Sequence, residues 1–158
     1  MSSPVTGAIP ANPSPEVKLI IAWMTALCDG DFDKLATLVT EDFVHYVHPS
    51  SLGFPKRNKT EWLQFNKDGF DIFKNFKITV HEIVEGQSAV VVHASSNATT
   101  STGYPYANEY SLFFHLTAET DGSYTIDQLK EFMDSQYAVE FFLAEKKRQE
   151  AAGNKVVW

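Results

Sequence analysis

The chain has 158 residues, a net charge of −7, and a composition that is 44% hydrophobic and 13% aromatic, with 12 Phe. That length suits one domain, able to bury roughly 68–70% of its unfolded surface. The ring-rich composition excludes disorder, the acidic balance without a Lys/Arg stripe argues against binding nucleic acid or an anionic membrane, and no run of about 18 apolar residues could span a bilayer.

Residues 1–13, rich in Pro, Ser and Ala, read as a flexible arm, and 14–150 as a single domain followed by a tail over 151–158. The start lacks the basic and apolar regions of a secretion signal, and the lone Cys28 forms no internal disulfide. Both features point to a cytoplasmic protein. Ser14, Pro15 and Glu16 stand as N-cap, first helical residue and first-turn acid. Val17, Ile20, Ile21, Met24, Leu27 and Cys28 then share a helical face, which Asp29-Gly30 ends. Asp31 caps a short second helix.

The stretch DFVHYVH (42–48) alternates as a strand and Pro49 stops it. After the loop SSLGFPKR, Asn58 and Glu61 stand at capping-box spacing and open a third helix containing Trp62, Leu63, Phe65, Phe70 and Phe73. From residue 75 the period changes to 2. FKITVHEIVE and SAVVVHASSN form a hairpin around Glu85-Gly86-Gln87, ANEYSLFFHLT follows, and Asp121-Gly122 turns the chain into SYTIDQLKEFM. Residues 135–149 read as a last helix. Helices first and an antiparallel meander after them make an α+β fold.

The stretches DGDFDKLATLVTEDFVH, SSLGFPKRNKTEW, VVVHASSNATTSTGYPYANEYSLFF and DGSYTIDQLKEFMDSQY cover most of residues 15–142. In them the chain resembles the nuclear-transport-factor-2-like superfamily, and within it SnoaL-like domain proteins of the small fungal type. The resemblance implies a cystatin-like cone-shaped α+β barrel: a curved, mostly antiparallel sheet wrapped around the N-terminal helices, enclosing a cavity. It also implies a homodimer, associating through the sheet face that carries Glu109, Ser111 and Phe113. The superfamily holds cyclases, isomerases, dehydratases, epoxide hydrolases and proteins that only bind.

In SnoaL-like polyketide cyclases an Asp near the end of the last strand acts as acid and base, and Asp134 falls at a similar place. The plain alternative is that Asp134 caps the last helix. If Phe132 points into the cone, Asp134 lies on the pocket wall; if Met133 packs there instead, Asp134 is only the cap. His45 shares a face with Phe43 and Val47, and is either a base near neutral pH or a buried, hydrogen-bonded imidazole. Asn108, Tyr110, Leu112, Phe114 and Leu116 share the more apolar face of their strand, with Asn108 and Tyr110 as polar anchors, unless a one-residue bulge reverses the face. Trp62, Phe65, Phe114 and Phe132 are candidate ring walls for a small apolar molecule. His93 is ambiguous, lying on the face opposite Val90, Val92 and Ala94. Five scattered His give no zinc spacing, and no phosphate loop is present, so no metal or organic cofactor is expected. The two readings are a cofactor-free isomerase, cyclase or dehydratase working by proton transfer, and a non-catalytic binding or dimerisation module.

Overall fold

Helix α1 (Pro15–Asp29) starts where the Ser14 side chain accepts a hydrogen bond from the Val17 N–H, 3.1 Å away. It stops at Gly30, whose φ of 68° is a left-handed cap conformation. The glycine is also required by space, because a Cβ there would stand 2.4 Å from the Phe70 ring. The chain is described here from a computed structural model over residues 3–154. Asp31 caps α2 (Phe32–Leu38) through the Lys34 N–H. Asn58 and Glu61 form the reciprocal capping box of α3 (Lys59–Ile72). α4 (Ser135–Ala151) follows the last strand directly.

The strands are β1 (Val5–Gly7), β2 (Val39–His48), β3 (Arg57–Asn58), β4 (Phe73–Gly86), β5 (Ala89–Thr100), β6 (Pro105–Ala118) and β7 (Tyr124–Met133). They form one sheet in the order β1-β4-β5-β6-β7-β2-β3. β4 to β7 are the expected antiparallel meander. β2 joins it by pairing parallel with β7, which brings residues 44–48 beside residues 128–132. The sheet is not closed, since β1 and β3 form its two edges.

The flexible arm needs correction. Val5 to Gly7 pair parallel with Ile78 to Val80, and Val5 is a buried core residue. The three-residue strand is too short for a period to show. Gly7 permits it, because a Cβ there would fall 2.1 Å from the Val80 carbonyl oxygen. Residues 1, 2 and 155–158 of the expected arm and tail lie outside the described residues.

One face of the sheet packs on α1, α2 and α3. Alternation on β5 buries Val90, Val92, Ala94, Ser96 and Ala98, and the same pattern on β6 buries Leu112, Phe114 and Leu116. Met24, Phe43, Trp62 and Phe114 are almost wholly buried between the layers, each worth about 1.5–3 kcal/mol in removed apolar surface.

α4 is held at its far end by a buried carboxylate. Glu145 is fully buried and accepts hydrogen bonds from Thr102 Oγ1 (2.8 Å), Arg148 Nε (2.6 Å) and Gln149 Nε2 (2.7 Å). Gln149 also reaches Ser101 Oγ, so the helix is tied to the β5–β6 loop. Burial pushes the Glu145 carboxyl up, but these hydrogen bonds and the Arg148 charge outweigh burial and leave it below the ordinary value. A depressed folded value means the contribution is complete above the unfolded value of 4.5 and is lost as the pH falls through the folded value. Glu145→Ala should therefore lower stability by about 1–3 kcal/mol at neutral pH. Urea midpoints measured against pH should converge with wild type in acid.

Candidate active site

Between the sheet and α1, α3 and α4 lies a cavity of about 480 Å³. Its floor is aromatic: Trp23 and Trp62 stack at 6.0 Å, and Phe43 backs Trp62 at 4.9 Å. β2 delivers His45 to the wall, because Phe43, His45 and Val47 alternate inward and all are buried. β7 delivers Glu131. Nε2 of His45 stands 3.0 Å from Oε2 of Glu131. A carboxylate only accepts, so the imidazole donates through Nε2, and the buried Nδ1 has no hydrogen-bond partner among the described residues. His45 is 1% exposed and the Glu131 side chain 21%, so the carboxylate is the more accessible member of the pair.

β5 and β6 supply a chain of hydroxyls on another part of the wall. Ser96 Oγ lies 3.0 Å from Tyr110 Oη, which lies 2.9 Å from Tyr106 Oη. Three hydroxyl protons serve two internal bonds, so one donor is left for an outside oxygen. Burial pushes the Tyr106 hydroxyl up to about 12 and that of Tyr110 well above 10, so both remain neutral donors at physiological pH. Arg57 lies opposite His45 in the β2–β3 ladder, and its guanidinium stacks 3.9 Å from the Phe65 ring centroid. Burial lowers the Arg57 pKa, while the charges of Glu131 and Glu61 oppose that shift.

Of the residues singled out from the sequence, His45, Tyr110, Trp62 and Phe65 line the cavity. Phe114 instead packs edge-on behind Trp23, with ring centroids 5.1 Å apart. Asn108 is a buried structural amide, whose Oδ1 accepts from the Glu109 and Asp134 backbone N–H groups. The expectation for His93 is corrected: it lies on the opposite sheet face, 2.6 Å from Glu109 and beside the His81 ring. Phe132 is corrected too, being 41% exposed and stacked on His48 across that outer face.

Met133 packs into the cavity, which turns Asp134 away from it. Asp134 is exposed, and its Oδ1 accepts from the Tyr137 N–H as the N-cap of α4. The reason lies upstream in β7. Ile126 and Leu129 are both buried, and the β6 partners His115 and Leu116 pair with Gln128 and Ile126, so one extra residue stands in β7 at Asp127. That bulge reverses the alternation beyond it. Glu131 and Met133 face inward, while Lys130, Phe132 and Asp134 do not. Glu131, Tyr106 and Ser96 were not anticipated from the sequence. Tyr106 carried a usable signal, since it shares a face with Asn108 and Tyr110, and Ser96 shares one with Val90, Val92 and Ala94, whose side the sequence left open; Glu131 was concealed by the bulge.

Among the described residues, no group of three or more His, Cys, Asp or Glu is placed to hold a metal ion. Likewise, no described helix is long and apolar enough to cross a membrane.

A family model for the SnoaL-like domain matches residues 20–125. The monooxygenase ptaG of Pestalotiopsis fici is 28% identical over 130 residues, spanning 80% of this chain and 85% of that protein. The solved structure of the BvnE pinacolase from Penicillium brevicompactum is 30% identical with a TM-score of 0.69, covering 89% of this chain and all of that one (100%). PrhC from Penicillium brasilianum is 22% identical with a TM-score of 0.71, over 89% and 93% of the two chains, which is a likeness of fold.

If Asp134 is only a cap, Asp134→Ala should cost about 1 kcal/mol of stability and Asp134→Asn much less. Neither should change ligand affinity in the cavity, as read by calorimetry.

Proposed function

The chain belongs to the SnoaL-like domain family, and from that premise we propose that its cavity takes a small, largely apolar molecule and moves a proton on it. The single observation that carries this reading is the His45–Glu131 pair, 3.0 Å apart, in the wall of an aromatic-floored cavity. Glu131 is the group that takes a proton from the ligand, and His45, donating to it, fixes its orientation and stabilises its charge. The left-over donor of the Ser96–Tyr110–Tyr106 chain holds the ligand oxygen on which charge develops as that proton leaves. Return of the proton to a different carbon gives an isomerisation; attack of the carbanion on a carbonyl carbon of the same molecule, opening its C=O π bond and sending the proton to the alkoxide oxygen, gives a cyclisation; and delivery of the proton to a departing hydroxyl, which leaves as water, gives a dehydration. The group that takes and returns the proton and the donors to the ligand oxygen are all side chains, so the reading calls on no metal or organic cofactor.

A related protein named a pinacolase supports a rearrangement of this kind. A relative named a monooxygenase favours a second reading, in which the same deprotonation prepares an electron-rich carbon for dioxygen. Oxygen consumption with a phenolic ligand separates the two.

The proton step can be tested without the natural substrate. Wild-type protein in D₂O should speed α-deuteration of 2-tetralone over the buffer rate, as followed by NMR. Glu131→Gln should reduce the protein-dependent rate by about 10²-fold or more with the fold retained, and Tyr110→Phe by a smaller factor. Equal rates in wild type and Glu131→Gln would remove Glu131 from the mechanism.

The same proposal includes a cytoplasmic setting and a homodimer. The exposed outer sheet face, where Phe113 and Phe132 meet edge-on at 5.7 Å, is the surface a second copy would cover. Sedimentation should then show a dimer at micromolar concentration that dissociates in Phe113→Ser. A wild-type monomer at that concentration rejects the dimer.

A further inference from the structure

Most of the exposed side chains that line the cavity are apolar, Lys146 of α4 being the charged exception. Phe54 is 42% exposed, Phe65 38%, Val139 46% and Leu143 61%, and all four also line the cavity. They come from three separate segments: the loop after β2, helix α3 and helix α4. Val139 and Leu143 stand one turn apart on α4, beside the face on which Ala138, Phe141 and Glu145 are buried. Exposed apolar side chains that also line a cavity are surface that a ligand in that cavity can cover. The four side chains are at once exposed and part of the chamber lining, so they carry its apolar wall out to solvent. They do not form a flat patch of the kind a second copy would cover, and the outer sheet face lies on the opposite side of the sheet.

Resting on the reading of the cavity as a ligand chamber, we propose that the ligand is longer than the chamber, and that an apolar extension, an alkyl or alkenyl chain, leaves through this mouth against Val139, Leu143, Phe54 and Phe65. The ligand class is thus a ring system bearing an oxygen at one end and a hydrocarbon chain at the other. The ring meets the aromatic floor and the oxygen meets the Tyr106–Tyr110 chain. The hydrocarbon covers side chains that otherwise stand in water. Phe54 and Phe65 both lie over the Arg57 guanidinium, at 5.6 and 3.9 Å, which holds that side of the mouth in place. Val139 and Leu143 add the apolar surface contributed by α4.

The test uses 2-naphthol and its 6-n-alkyl homologues from methyl to decyl, with affinity measured by calorimetry on the full chain. Wild type should gain roughly fourfold in affinity for each methylene that is buried, up to a plateau. In Val139→Ser/Leu143→Ser, both sites being exposed, the gain from the outer methylenes should fall to less than twofold each. Leu143→Phe, which enlarges the apolar wall, should restore or extend the gain. Identical chain-length series in wild type and the double variant would overturn the exit through this mouth while leaving the chamber reading intact. Failure of 2-naphthol and every homologue to bind would overturn the chamber reading itself, and this inference with it.

Discussion

One extra residue in β7 decides what this cavity contains. Strand side chains alternate strictly, so a bulge between Ile126 and Leu129 exchanges the two faces of everything after it. Before the bulge Ile126 is in the core; beyond it Leu129, Glu131 and Met133 take the inward positions. Without it, the inward series would continue through Gln128, Lys130 and Phe132. The chamber would then present a lysine where it now presents a carboxylate hydrogen-bonded to His45. The same shift puts Phe132 on the outer face against His48 and Phe113, and leaves Asp134 at the surface to cap α4.

The parallel pairing of β2 with β7 makes use of that phase. It sets Val47 opposite Glu131 and His45 opposite Leu129, so the imidazole and the carboxylate arrive on one wall from strands far apart in sequence. Burying an ionisable pair costs desolvation that hydrogen bonding only partly returns. A core built for stability alone would place apolar residues there. Buried polar groups gathered on the sheet wall of a largely apolar chamber mark the place where local rules give way to a site. The tyrosine pair follows the same pattern, with hydroxyls buried deeply enough to be pushed well above their ordinary range yet satisfied by one another.

α4 completes the enclosure in a different way. Its first turn is held by the Asp134 cap and its far end by Glu145 and Gln149 against the β5–β6 loop. Between these anchors Val139, Phe142 and Leu143 lie along the cavity. The helix is fixed by polar contacts at its ends and by Phe141 packed on Tyr106, with ring centroids 4.9 Å apart, while Val139 and Leu143 stand exposed along the cavity.

The helices, their caps and the meander were legible in the sequence because each depends on neighbours a few residues away. Ser14 and Pro15, Asp31, and the Asn58–Glu61 box all do what their spacing implies. The inward face of β6 was legible too, since an unbroken alternation runs from Tyr106 to Phe114. β1 and β3 were not, being too short to show a period, and their positions come only from the edges they pair with. The bulge in β7 leaves no mark in QLKEFMDS, because an extra residue is visible only against the strand it fails to match. Sequence alone thus determined the family, the order of the helices and longer strands, and the presence of His45 and Tyr110 on ring-rich faces. Only the tertiary structure decided that Glu131, and not Asp134, is the carboxylate beside His45 in the cavity wall, because that choice depends on register between strands, which no local pattern encodes.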